Sequence, residues 1–164
     1  MAEELILTPD VTRAERYQEL MPQIKGIMTG EQNLIANLAN VAAILHEGLG
    51  MLWTGFYLKD GEHELVLGPF QGPLACTRIQ VGKGVCGTAA STQQTQVVPN
   101  VHEFPGHIAC SALSQSEIVV PLLATGRTRL VLDIDSQRLG DFSAVDQEFL
   151  EEVMVLIRDH HDWE

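Results

Sequence analysis

Residues 117–135 read EIVVPLLATGRTRLVLDID. Two apolar, β-branched runs, Glu117–Leu123 and Thr128–Asp135, flank the short segment Thr125-Gly126-Arg127. Runs of this length broken by a glycine-containing turn are strands. Side chains alternate between faces along a strand, so Asp133 and Asp135 share one face while Leu132 and Ile134 point to the other. Glu117 opens the neighbouring strand. The bland reading of these acids is a solvated sheet face. The alternative is a carboxylate cluster at one end of a sheet.

Working outward, Trp53–Leu58 is aromatic and strand-like. Lys59-Asp60-Gly61-Glu62 is a turn, and Leu65-Val66-Leu67 completes a hairpin. Cys76–Val81 is expected as a third strand, Gly84–Thr92 as a short helix and Gln96–Val98 as a short strand ended by Pro99. Thr12-Arg13-Ala14-Glu15 reads as a capping box for a first helix, running to about Met21 where Pro22 interrupts it. Thr29–Gln32 looks like a second helix start. Leu34, Leu38, Val41, Ala42 and Leu45 form its apolar face, with Gly48 in the stop position. Ser143-x-x-Asp146 opens a last helix whose face is Phe149, Leu150, Val153, Met154 and Ile157. Helices, then strands, then a helix predict an α+β fold: one mainly antiparallel sheet with helices packed on one face. The stretch Asn100–Ser116 has no period, and long loops of that kind often carry function.

The 164 residues suit one domain, and 45% apolar with 20% charged residues is ordinary for a globular protein. Ten basic against 22 acidic residues leave a net charge of −12. That acidity disfavours nucleic-acid partners. No apolar run approaches the roughly 20 residues of a membrane span. The N-terminus MAEELILTPD carries acids where a signal peptide carries Lys or Arg, so a cytoplasmic protein is expected. Three cysteines in such a chain argue against a disulfide framework and favour buried, metal-bound or redox-active thiols.

Each candidate site has a plainer competitor. Cys76, Cys86 and Cys110 could be small buried hydrophobes. Cys110 departs furthest from that, because it ends an irregular loop, close in sequence to His107 and before Ser111, Ser114 and Ser116. A helix starting near it would lower its pKa through backbone N–H groups. His102-x4-His107-x2-Cys110 offers metal-ligand types, but the two close pairs usual for structural zinc are missing. Gly82-Lys83-Gly84-Val85-Cys86-Gly87 matches G-x-G-x-x-G, yet lacks the long helix and distant acid of a dinucleotide site, and reads as a tight strand-to-helix turn. Trp53, Phe56 and Tyr57 are most often core or sheet-surface residues, and the sequence alone does not favour a pocket wall for them.

The stretches WTGFYL, LVLGPFQG, ACTRI, GKGVCGTA, VVPNVHEFPGHIAC, SEIVVPL, VLDIDS and DFSAVD keep the order and spacing of a known family. The chain resembles the free methionine-(R)-sulfoxide reductases of the GAF-domain superfamily. The resemblance implies a single GAF-like domain over 1–164, with 1–28 as an N-terminal helical extension and 29–164 as the core. It implies thiol-dependent reduction of free methionine-(R)-sulfoxide with no metal or organic cofactor, recycling by thioredoxin and a homodimer. Residue by residue, Cys110 matches the family's nucleophile and Cys76 its resolving cysteine. Cys86 matches a third cysteine that is a second candidate for resolving. Glu117, Asp133 and Asp135 match acids at the substrate pocket, and Trp53 a tryptophan against the substrate methyl group. Ser111, Asn100 and Leu130 depart from the Asp, Asp and Gly common at those positions. Two rival readings remain at this point: a non-catalytic GAF-like sensor of a small ligand or redox state, and a zinc-stabilised interaction domain.

Overall fold

A computed structural model describes residues 4–108 and 110–164. Met1–Glu3, where the acidic N-terminus begins, and Ala109 of the GHIAC stretch lie outside the described residues. The elements run α1 (Arg13–Met28), α2 (Leu34–Leu49), β1 (Trp53–Asp60), β2 (Glu64–Gln71), β3 (Arg78–Gln80), α3 (Gly84–Thr92), β4 (Gln96–Val98), β5 (Ser116–Ala124), β6 (Arg127–Ser136) and α4 (Ala144–His160). A 3-10 turn at Val101–Glu103 interrupts the loop between β4 and β5. The six strands form one antiparallel sheet in the order β3-β2-β1-β6-β5-β4. The α+β class and the antiparallel sheet are those expected.

The capping box at Thr12 forms as read, with both reciprocal hydrogen bonds in place. The helix does not stop at Met21, however. It continues through Pro22 to Met28. Proline removes one helical donor, but Leu20, Met21, Ile24 and Met28 are all buried in the same core, and that packing outweighs the lost bond. The second helix begins after Asn33, whose side chain caps Ala36, rather than at Thr29. Its stop is Gly50, at φ +66°, not Gly48. Gly48 instead permits close approach of α1, since a β-carbon there would lie 2.7 Å from both Leu20 methyls. At the other end of the chain, the Ser143/Asp146 capping box forms, and the Tyr17 hydroxyl donates to Asp146 Oδ1 at 2.7 Å. This buried bond ties α1 to α4.

Alternation sorts the sheet into two cores. Phe56, Ile118, Val120, Leu122, Leu130, Leu132 and Ile134 face α1, α2 and α4. Trp53, Tyr57, Val119 and Val131 face the other way, where they meet Val85, Cys86, Ala89 and Ala90 of α3. Three helices thus cover one face and the short α3 covers the other. The candidate site lies on the α3 face. Tyr17, Leu20, Met21, Ile24 and Met28 of α1 pack in the first core.

Candidate active site

Strand register builds the floor of the site. Glu117 on β5 pairs with Asp135 on β6, and Asp135 pairs with Trp53 on β1. One row further along, Val119, Asp133 and Gly55 are paired across the same three strands. Pairing partners share a face, so three carboxyls and the indole converge on the α3 side. They line one cleft of about 550 Å³, counted to its open mouth, together with Tyr57, Cys86, His107, Cys110 and Ser114.

Gly55 makes room for the indole. A β-carbon at this position would lie 2.6 Å from the Trp53 ring and 2.4 Å from the β-carbon of Phe70. Trp53 therefore lies along the sheet, stacked between Phe70 and Tyr57 at centroid distances of 5.3 and 5.9 Å. Its Nε1 donates to the Pro73 carbonyl at 3.1 Å, and the Tyr57 hydroxyl donates to the Cys76 carbonyl at 2.9 Å. The two aromatics thereby hold the loop that carries Cys76. Tyr57 reads as core in the sequence. The signal for its second role is the spacing of four from Trp53, which on a strand puts both on one face.

Cys76 and Cys110 are joined by a disulfide with a Cα–Cα distance of 5.7 Å. Cys110 lies in an irregular loop, as the sequence reading places it, but Cys76 does not lie on a strand. β3 starts at Arg78, so Cys76 lies in the preceding loop. No helix begins near Cys110: among the described residues of 107–115 the chain is irregular up to β5, and Cys110 is exposed. The helix terminus that does reach the cleft is that of α3, which starts at Gly84 with no side-chain cap. The G-x-G-x-x-G stretch makes the turn before it. Gly82 and Gly84 take φ of +86° and +63°, and a β-carbon on Gly87 would lie 2.3 Å from the Gln80 carbonyl oxygen. The glycines serve a tight strand-to-helix connection, as read.

The carboxyls are crowded, Glu117 and Asp133 buried and Asp135 half-buried. Burial, with the neighbouring Asp135 charge, raises Glu117 well above the usual carboxylate range, and burial likewise raises Asp133. The Glu117 and Asp133 carboxyls approach within 4.8 Å of each other, and Asp133 Oδ1 is buried without a hydrogen-bond partner among the described residues. Asp135 is pushed up to about 6 by burial, opposed by a hydrogen bond from the Ser114 hydroxyl and by nearby His107. His107 Nε2 is 3.7 Å from Glu117 Oε2. Crowded, desolvated carboxyls favour a cation entering the site. Cys86 is the free cysteine, buried on α3, and burial pushes its thiol up, with Asp133 adding to the effect.

Cys86, Glu117 and Asp133 have ligand atoms within 4.8 Å of one another, the one such group of three among the described residues. It does not include His102, which is exposed on the 3-10 turn, or His107. Nor is Cys110 in it, being paired with Cys76. The His102/His107/Cys110 set is not assembled.

The three departures also have places. Ser111 Oγ accepts from the Leu113 amide at 3.2 Å, and Asn100 Oδ1 accepts from the His102 amide at 3.1 Å. Both are acceptor roles a carboxylate would also fill. Leu130 is fully buried on the helix-covered face, opposite the site.

A four-helix, six-stranded antiparallel domain with a cleft on its α3 face defines a GAF domain, and the GAF domain family model matches residues 32–159. The chain belongs to that family, in its free methionine-(R)-sulfoxide reductase branch. It is 42% identical over 164 residues to the free methionine-R-sulfoxide reductase of Saccharomyces cerevisiae, covering 95% of this chain and 91% of the relative. GAF domain-containing protein A of Dictyostelium discoideum is 54% identical, with 96% and 99% covered. The free methionine-R-sulfoxide reductase of Neisseria meningitidis, solved in complex with its substrate, superimposes with a TM-score of 0.92 at 48% identity, covering 96% of this chain and 95% of that one. Among the described residues no helix is long and apolar enough to cross a membrane.

Proposed function

We propose that this chain reduces free methionine-(R)-sulfoxide to methionine, with Cys110 as nucleophile and Cys76 as resolving thiol. The observation that carries this reading is the placement of Cys110, disulfide-bonded to Cys76, on a cleft floored by the buried Glu117 and Asp133 and the half-buried Asp135. A sensor domain has no need of that combination.

In the reduced protein the Cys110 thiolate attacks the sulfoxide sulfur. The sulfoxide oxygen takes up a proton from a neutral carboxyl, for which Glu117 and Asp135 are the candidates. Methionine leaves and Cys110 becomes a sulfenic acid. The Cys76 thiol then attacks that sulfur, water departs and the disulfide forms. A dithiol of the thioredoxin type returns both cysteines to thiols by exchange. Cys86 is a poor resolving thiol on this scheme, because its burial keeps it protonated and only the thiolate attacks. No metal or organic cofactor enters the scheme.

The acids also explain a preference for the free amino acid. Buried carboxyls reward an ammonium group, and the uncapped start of α3 offers backbone N–H groups to a carboxylate. Trp53 supplies an apolar wall for the methyl group. Peptide-bound methionine sulfoxide lacks both charges.

The test is NADPH consumption with thioredoxin and its reductase, comparing free R and S sulfoxides. Turnover with the R epimer alone is expected, and none with Cys110→Ser. Cys76→Ser should release one methionine per protein without cycling. Retained turnover in Cys110→Ser would overturn the assignment.

A further inference from the structure

The chemistry proposed above leaves two buried groups of the cleft without a task, the Cys86 thiol and the Asp133 carboxyl. They lie together. Cys86, Glu117 and Asp133 each offer a ligand atom within 4.8 Å of the other two, and all three line the cleft. Their exposures are only 4%, 5% and 7%, so little water competes for them. Asp133 Oδ1 is buried with no hydrogen-bond partner among the described residues. A buried acceptor left unpaired calls for a partner, and an ion is one.

The backbone holds the three groups against one another. Across β5 and β6 Glu117 pairs with Asp135 and Val119 with Asp133, so Glu117 and Asp133 are diagonal neighbours on one face. Cys86 reaches them from the first turn of α3. That turn is kept low by Gly87, where a β-carbon would lie 2.3 Å from the Gln80 carbonyl oxygen, and by Ala89 and Ala90, which are buried in the core between α3 and the sheet.

The donor set selects the ion. An ammonium group has a use for carboxylates but none for a thiolate. Mg²⁺ and Ca²⁺ take oxygen shells, whereas a thiolate with carboxylate oxygens suits zinc and ions of similar softness. Zinc binds sulfur at about 2.3 Å and carboxylate oxygen at about 2.0–2.2 Å, a sphere these three atoms reach by small side-chain rotations. Three protein ligands leave a fourth position for water. The start of α3 opposes a cation, but it stabilises the thiolate that would hold one. The net charge of −12 draws cations toward the protein.

We propose that Cys86, Glu117 and Asp133 form a binding site for a thiophilic divalent cation of the zinc class at the floor of the cleft. The ion takes the place of the thiol proton and of any proton on the two carboxyls, and these protons pass to water. No electron is transferred. The set differs from His102/His107/Cys110, which is not assembled. The proposal goes beyond the reductase reading and needs neither the sulfoxide nor turnover.

The oxidised protein is the form to test. With Cys76 and Cys110 paired, Cys86 is the only thiol of the three cysteines. Metal-stripped oxidised protein is titrated with Co²⁺, whose thiolate-to-metal charge-transfer absorption reports a sulfur ligand, and Zn²⁺ is then added in competition. One Co²⁺ per chain should bind with that absorption, and Zn²⁺ but not Mg²⁺ should displace it. Cys86→Ser should abolish the band. Glu117→Gln and Asp133→Asn keep the thiol, and each should weaken Co²⁺ binding at least about tenfold, with circular dichroism confirming that the variants fold. A wild type without the band at excess Co²⁺ overturns the proposal without recourse to any variant. So does a band that survives Cys86→Ser, an affinity unchanged in both carboxamide variants, or displacement by Mg²⁺. Turnover is not read, so failure of this site and failure of the reductase reading are separate results.

Discussion

Asp135→Asn tests the electrostatics of the site through folding stability. Burial holds the Asp135 carboxyl at about 6 in the folded protein, against about 3.9 in an unfolded chain. Between those values the native state keeps a proton that the unfolded state has lost. Stability therefore falls as pH rises through this window, because the state that binds more protons is disfavoured by their removal. A shift of about 2 units corresponds to roughly 3 kcal/mol once both forms are ionised. About 1 kcal/mol of this is already present at pH 4.5, which leaves about 2 kcal/mol between pH 4.5 and 7.5. Asparagine cannot ionise and still offers an oxygen to the Ser114 hydroxyl that donates to Asp135. The variant should gain on the wild type by about 2 kcal/mol over that range, or roughly 4–8 °C in Tm for a domain of this size. Urea titrations of the oxidised protein at the two pH values measure it. A stability difference between variant and wild type that is flat with pH, or that favours the wild type more at pH 7.5, would refute the claim that this carboxyl is held against its tendency to ionise. Turnover should fall in the same variant, since the strained charge is the one proposed to read the substrate.

Glu117→Gln removes a candidate proton donor next to His107 and a candidate ammonium partner. Its kcat/KM for the R sulfoxide should fall more than tenfold, roughly 1.4 kcal/mol or beyond; a near-normal value would return Glu117 to a structural role. Leu130→Gly restores the residue common in the family. It should lower stability by about 4 kcal/mol, because a fully buried side chain is lost from the helix-side core, while kcat per folded molecule stays as in the wild type. A changed kcat with unchanged stability would place Leu130 at the site after all.

Local signals were legible where a residue acts within its own element. The Thr12 and Ser143 capping boxes, the α3 helix and the two strands of β5 and β6 all lie where propensity and period put them. The misreadings are of another kind. Pro22 and Gly48 are both taken as helix stops, and both lie inside helices. Each is overruled by α1 packing on its neighbours, with the Leu20 methyls against Gly48, a contact between residues 28 positions apart. The helix imagined beside Cys110 is a loop, and the terminus that serves the cleft comes from α3, brought there by the Gly87 approach to Gln80.

By itself the sequence determined the class of fold, the shared face of Asp133 and Asp135, and the residue types available for thiol chemistry. These follow from alternation and composition, which are properties of short segments. The tertiary structure decided which residues meet. Only the β5–β6–β1 register sets Glu117 against Asp135 and Asp135 against Trp53, and only loop packing brings Cys76 to Cys110 across 34 residues while leaving Cys86 buried on α3. The raised carboxyls are a consequence of that register as well. Desolvation and like-charge crowding exist once three acids from two strands share one floor, and no single segment contains them.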